Sequence, residues 1–203
     1  MDTLVQQLIN GLVLGSMYAL IALGYTMVYG VLNLINFAHG DVLMIGALTA
    51  WSILQFLQHS VPEWPGLIKL AIAVSGAVPV CVVVSLLIER VAYRRLRNAP
   101  RLAPLITAIG VSILLQTIAM MLWGRDPLPF PQVLPVEPLH IAGGLITPTQ
   151  ILLLLLALVS MFALTLLVER TRMGRAMRAV AENPRVAALM GVDANREIGR
   201  AHV

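Results

Sequence analysis

From Thr3 to Gly40 the chain carries no Asp, Glu, Lys or Arg. A helix needs about 20 apolar residues to cross about 30 Å of hydrocarbon. The charge-free run is too long for one simple crossing and too short for two separated by a solvated loop. It reads as one helix over about Leu4–Val31, a polar break at "NLINFAHGD", and a second helix from about Val42 to Gln58. Further charge-poor runs predict spans at about Leu67–Ile88, Pro104–Trp123 and Pro148–Val168. The expected fold class is all-α: a polytopic transmembrane helix bundle of about five spans.

Composition points the same way. The chain is 59% hydrophobic and 12% charged, whereas a soluble domain has about a quarter of its residues charged. That excludes an ordinary soluble enzyme or binding domain. A single cysteine, Cys81, lies in an apolar run and permits no internal disulfide; it reads as a small hydrophobe. Only Asp2, and no Lys or Arg, precedes the first apolar run, so the basic start of a cleavable leader is missing and that run is expected to stay.

The basic residues fall in two places. "ERVAYRRLRNAPR" holds Arg90, Arg94, Arg95, Arg97 and Arg101, and the stretch after the fifth span holds Arg170, Arg172, Arg175, Arg178, Arg185 and Arg196. Elsewhere only Lys69, Arg125 and Arg200 are basic. The excess of Lys and Arg marks cytoplasmic loops, and the two loops flank an even number of spans, so they agree. Counting back, the N-terminus lies outside, as does "GRDPLPFPQVLPVEPLHIAGG", whose prolines argue for a rigid extended loop. Basic loops can also bind nucleic acid, but loops that abut spans are topology determinants, and no nucleic-acid partner is expected.

The polar break admits two readings. Asn33 and Asn36 are three apart and share a face if helical; His39, Gly40 and Asp41 follow at once. Gly40 permits a bend, and Asp41 is placed to N-cap the second helix. One reading is a capped helical turn at the cytoplasmic surface. The other is a discontinuous element lining a solute path, since irregular backbone at membrane depth is tolerated only when buried in protein or facing a water cavity. One His and one Asp are too few ligands for a metal site. Small residues run through the first two helices (Gly11, Gly15, Ser16, Ala19, Ala22, Gly24, Gly30, Gly46, Ala47 and Ala50) and include one G-x-x-x-G, Gly11 to Gly15. They predict close helix approach within a packed bundle.

After the fifth span comes "GRAMRAVAENPRVAALMGV", Gly174 to Val192. Gly174 reads as the end of the preceding element, and Arg175–Glu182 as about two helical turns. Asn183 before Pro184 is biased out of the helical region. Asn as cap with Pro at the first position starts a second short helix, running from Pro184 to Met190 and closed by Gly191. Neither piece is long enough to be stable alone in water. Val180, Ala187 and Met190 offer an apolar edge; Arg178, Glu182 and Arg185 offer polar ones. Such an element either lies on lipid headgroups or docks a cytoplasmic partner.

"MRAVAENPRVAALMGV" resembles the cytoplasmic coupling loop of ABC importer permeases, and "GLVLGSMYALIALGYTMVYGVLNLINFAHGDVLMIGA" is similar to the N-terminal region of permease subunits of branched-chain amino acid importers, specifically the shorter permease of the pair. The resemblance runs from about residue 4 to 196. It implies a transmembrane permease domain over 1–196, with the coupling loop at about 169–196, translocating branched-chain amino acids across the inner membrane. Urea and short-amide permeases share much of the pattern and are the alternative within the class. No G-x-x-x-x-G-K-[ST] occurs anywhere, so ATP is expected on a partner subunit and no cofactor on this chain, which is not expected to be an enzyme. The implied partners are cytoplasmic ATPase subunits, a second permease, a periplasmic solute-binding protein and the bilayer. The implied coupling residues are Gly174, Arg178, Ala179, Glu182, Ala187 and Gly191; the implied path residues are Asn33, Asn36, His39 and Asp41. From a different class, an ion-coupled secondary transporter would use His39 and Asp41 as coupling groups, and a purely structural membrane subunit would need only the glycine-rich packing.

Members of that family continue through further membrane helices after the coupling loop, whereas this chain reads "EIGRAHV" to Val203. One codon choice for Ile198–Val203, ATC GGA AGA GCA CAC GTC, resembles a sequencing-library adaptor. The expectation is that 197–203 is a non-native tail; a nucleotide record with different codons there would refute it.

Overall fold

The computed structural model describes residues 2–32, 37–96, 99–100, 102–134, 137–141 and 144–192. Five helices are long and apolar enough to cross a membrane: α1 (Asp2–Leu32), α2 (His39–Ser60), α3 (Gly66–Ile88), α4 (Leu102–Trp123) and α5 (Pro148–Arg170). They match the five expected spans. Two short helices, α6 (Arg172–Glu182) and α7 (Pro184–Leu189), follow. The chain is thus a multi-pass all-α membrane protein. Its only extended pairing among the described residues is a ribbon in the α4–α5 connection, where β1 (Leu139–Ile141) runs antiparallel to β2 (Gly144–Ile146).

Local chemistry sets the helix ends. The Thr147 hydroxyl accepts from the Gln150 N–H, and the Gln150 side chain accepts from the Thr147 N–H. With Pro148 at the first position, this capping box starts α5. The arginine-rich segment after α3 departs from the expected loop. It continues as a π-helical turn, Glu89–Tyr93, and a 3₁₀ turn, Arg94–Leu96.

The helices form two groups. α2 packs antiparallel on α3 and also against α4, while α1 packs on α5 and α6 and meets α2 only briefly. Glycines serve the α2–α3 contact: a Cβ at Gly46 would press on Cys81 Sγ, and one at Gly76 on Ile53. Cys81 is the small packing residue anticipated, its thiol lying 3.7 Å from the Val42 carbonyl. The G-x-x-x-G pair does not behave as anticipated. No atom lies within 4 Å of a Cβ at Gly11 or Gly15; both line an apolar cavity of about 430 Å³ between α1 and α5, with Leu154, Ala157 and Met161 opposite. Small size here opens a groove, because α5 faces these glycines with long side chains that do not fill it.

Most outward side chains are large and apolar, among them Leu8, Leu12, Val83, Ile113, Met121 and Phe162, as a lipid-facing surface requires. Of the five spans α2 is the most enclosed, with 28% of its most apolar stretch buried against 6% for α5. α2 therefore has the largest share of its side chains covered by other elements of the chain.

The ends of the bundle sort by side. The ribbon touches the start of α1, where Gln6 bonds Leu145, and the Trp51 indole donates to the Pro129 carbonyl at 2.9 Å. The arginine-rich segments lie at the opposite ends of α4 and α5.

Candidate functional site

Two regions hold the expected functional residues. The first is the joint between α1 and α2. Asn33 and Asn36 fall outside the described residues. α2 begins at His39, its cap position is Ala38, and no side chain caps it. Asp41 is therefore not the N-cap. It is the third residue of the first turn, where the positive end of the helix still favours negative charge, and its carboxylate is engaged elsewhere. Gly40 is likewise helical and makes no bend; what its position requires is small size, since a Cβ there would lie 3.3 Å from the Tyr25 hydroxyl.

His39 and Asp41 are two apart on a helix and leave it in different directions. The His39 ring packs edge-on against Tyr25 of α1, centroids 4.8 Å apart, over Gly24, where a Cβ would overlap the imidazole. Asp41 faces α4, is 8% exposed, and accepts a hydrogen bond from Gln116 Nε2 at 2.9 Å. The structure thus separates the two residues, His39 to α1 and Asp41 to α4.

Gln116 Nε2 also donates to Ser112 Oγ, 3.2 Å away and one helical turn back. Ser112 is the eleventh of the 22 residues of α4. At 1.5 Å per residue it lies about 15 Å from the Leu102 end. The first turn of α2 therefore stands beside the middle of α4. Next to it lies an aliphatic cluster of Ala38, Ile45, Ile88 and Leu115, with Val42, Val111 and, from the arginine-rich segment, Ala92 and Tyr93 against it. Gln116, Ser112 and Tyr25 were missed by sequence reasoning. The available signal was S-x-x-x-Q at helical i, i+4 spacing inside an apolar span.

The second region is α6–α7. Gly174 does not end the preceding helix. α6 starts earlier, at Arg172, because Thr171 closes α5 and caps α6, its hydroxyl accepting from the Gly174 N–H at 3.0 Å. Gly174, Met177 and Val180 form the buried face of α6, which packs on α1 and α5. At Gly174 a Cβ would collide with the carbonyls of Leu167 and Val168. The bend falls where expected: Asn183 is extended, its Oδ1 accepts from the Val186 N–H at 3.2 Å, and Pro184 opens α7. Gly191 has φ +83°, and the N–H groups of Val192 and Gly191 return to the carbonyls of Ala187 and Ala188. This pattern is a Schellman closure.

The six coupling residues divide. Gly174 and Ala187 are buried, Ala179 is half-buried, and Arg178, Glu182 and Gly191 are exposed. Arg178 reaches back to the Glu169 carbonyl at 3.4 Å, and Arg175 to the Arg170 carbonyl at 3.5 Å. Both guanidinium groups sit on the negative end of α5. Met190 does not join Val180 and Ala187 on a packed edge; it is 81% exposed, beside Leu189 at 87%. The closure at Gly191 turns both away from the bundle. Val186, Leu189 and Met190 thus form an apolar tip on a polar element. Among the described residues no cluster of three His, Cys, Asp or Glu could hold a metal.

Comparison with known proteins bears on both regions. The profile of the family described as branched-chain amino acid transport system / permease component matches residues 7–197. The chain belongs to this family. It is 43% identical over 202 residues to the high-affinity branched-chain amino acid transport system permease protein BraD of Pseudomonas aeruginosa. It is 40% identical over 202 residues to the permease protein LivH of the same kind of system in Escherichia coli K12. Each alignment covers 98% of this chain, which spans 66% of the first relative and 65% of the second. No solved structure matches it. Both the α1–α2 joint and α6–α7 lie within the residues that match the family.

Proposed function

We propose that this chain is the permease subunit of an ATP-driven importer and moves branched-chain amino acids across the inner membrane. A separate cytoplasmic ATPase supplies the energy, a second permease completes the path, and a periplasmic binding protein delivers the solute to the ribbon end. In this arrangement the N-terminus is outside and both arginine-rich segments face the cytoplasm, as the distribution of Arg favours. Asn33, Asn36, His39 and Asp41 are assigned to the path.

The observation that carries this reading is the build of α6–α7. One face is packed on α1 and α5, and the opposite side carries Glu182 and the apolar tip of Val186, Leu189 and Met190. An element of 11 and 6 residues held by caps at both ends can transmit displacement, and an exposed apolar tip beside the exposed Glu182 fits a protein cleft. It is the shared two-state element that ATP binding on one side and the spans on the other both bias.

The test is uptake of labelled leucine by the full chain expressed with its partner subunits in a host lacking such uptake. Glu182→Lys is expected to leave the complex in the membrane while cutting uptake per ATP hydrolysed at least tenfold. Normal uptake by that variant would remove Glu182 from the coupling surface. Uptake that survives ATP depletion and collapses with an ionophore would replace the importer by an ion-driven carrier.

A further inference from the structure

Asp41 is a buried carboxylate, only 8% exposed. Among the described residues its side-chain partner is the neutral amide of Gln116. Burying a carboxylate costs free energy unless it is paired and hydrogen-bonded. An apolar residue would hold α2 against α4 without that cost, and Asn would preserve a hydrogen bond to Gln116. What only Asp supplies is negative charge.

The orientation of Gln116 is set by chemistry. A carboxylate accepts and does not donate, so the amide nitrogen must face Asp41. The same nitrogen reaches Ser112 Oγ, which occupies both of its N–H groups. Gln116 Oε1 then points away from the pair, and Gln116 lies on the exposed side of α4. The groups available at this level are the second carboxylate oxygen of Asp41, Gln116 Oε1 and the Ser112 hydroxyl. Two of the three can only accept, and among the described residues no cationic side chain is bonded to them. Acceptor oxygens on a buried carboxylate and on the amide that covers it, beside an aliphatic cluster, suit a compact donor of several N–H groups attached to a hydrocarbon.

We infer that Asp41, Gln116 and Ser112 form a station on the solute path that takes the ammonium group of the transported amino acid. This rests on the importer reading above. Asp41 provides the charge. Gln116 covers it and offers the oxygen that an arriving ammonium meets first, and Ser112 fixes the amide of Gln116. Selection at this point is for a positive head, and the neighbouring aliphatic residues tolerate the hydrocarbon part.

The experiment uses the full complex in proteoliposomes, with Cys81 and any other cysteine of the complex replaced by Ala and Ser112→Cys as reporter. Asp41 is untouched in this form. A trimethylammonium thiosulfonate is expected to label the reporter at least tenfold faster than a sulfonate thiosulfonate of similar size. Leucine and isoamylamine, which carry the ammonium, slow the labelling; 4-methylpentanoate, which lacks it, does not. Adding Asp41→Asn abolishes the charge preference and lowers leucine uptake at least tenfold. Asp41→Glu retains the charge preference.

Absence of labelling by either reagent, equal labelling by both, or protection by 4-methylpentanoate as strong as by isoamylamine would overturn the station. So would undiminished leucine uptake by Asp41→Asn. None of these outcomes touches the importer reading, which falls separately if the unmodified complex fails to take up leucine. Should Asp41→Asn not assemble, the reagent preference and the protection series with Asp41 in place still decide the matter.

Discussion

Gln6 and Leu145 exchange two hydrogen bonds: the Gln6 amide donates to the Leu145 carbonyl at 3.0 Å, and the Leu145 N–H donates to Gln6 Oε1 at 2.7 Å. A side chain of α1 thus serves the backbone of β2 as a neighbouring strand would. The ribbon has one strand partner and needs a substitute on its other edge.

Gln6→Met keeps the length of the side chain and removes both bonds. Each is worth about 1 kcal/mol net, and the Leu145 N–H and carbonyl lose their partner together. Hydrogen exchange at the Leu145 amide is expected to speed up roughly tenfold, since about 1.4 kcal/mol corresponds to a factor of ten in the opening equilibrium. The exposed neighbour Gln7 provides the control: Gln7→Met leaves the exchange rate unchanged.

Gly24 and His39 should behave as a coupled pair. A Cβ at Gly24 overlaps the His39 ring, and the ring is also held by Tyr25. Because the obstacle is the far end of a side chain, the cost of Gly24→Ala can be relieved from the other side. Gly24→Ala alone is expected to lower stability in detergent by about 1–2 kcal/mol, within the range for overpacking. With His39→Ala added, the penalty of the glycine change falls below about 0.5 kcal/mol, as a double-mutant cycle measures. Equal costs in both backgrounds would mean that the two helices do not meet there.

What was legible in the sequence follows from the kind of force involved. The five spans come from solvent preference alone, and charge-free runs locate them within a few residues. The caps at Asn183 and Gly191 are local backbone chemistry and were readable for the same reason. The errors at Asp41, Gly40 and Gly174 share one cause. Each residue type fits a local role, as cap, hinge or terminator, and each is instead used in a contact with a different helix: Gln116 of α4, Tyr25 of α1, and the last carbonyls of α5. Nothing within four residues of Asp41 announces Gln116, which is 75 positions away. The Gly11–Gly15 pair failed in the opposite sense, since helix approach depends on the partner, and α5 brings Leu154 and Met161 to that face.

Gly174 and Gly11 make the final contrast, between a glycine that is needed and one that is not. At Gly174 the space for a Cβ is occupied by the carbonyls of Leu167 and Val168. These belong to the last turn of α5, and the Leu167 carbonyl also receives the Thr171 N–H. Backbone held that way cannot rotate aside as a side chain does. Gly174→Ala must therefore move α6 away from α5, which breaks the Thr171 cap and unseats Val180, a side chain with 0% exposure. Loss of a cap costs about 1 kcal/mol, and overpacking adds about 1–3 kcal/mol. The variant is expected to reach the membrane, because the five spans are intact, but to show α6–α7 opened to limited proteolysis and leucine uptake reduced at least tenfold. At Gly11 a Cβ meets nothing within 4 Å. There Gly11→Ala removes a residue that weakens a helix by about 0.8–1.0 kcal/mol relative to Ala, and thermal stability in detergent should hold or rise. Parallel measurement of the two variants separates a glycine required by contact from one that merely occurs in a helix; an intact, protease-resistant α6–α7 in Gly174→Ala would show that α5 and α6 are not locked together at this point.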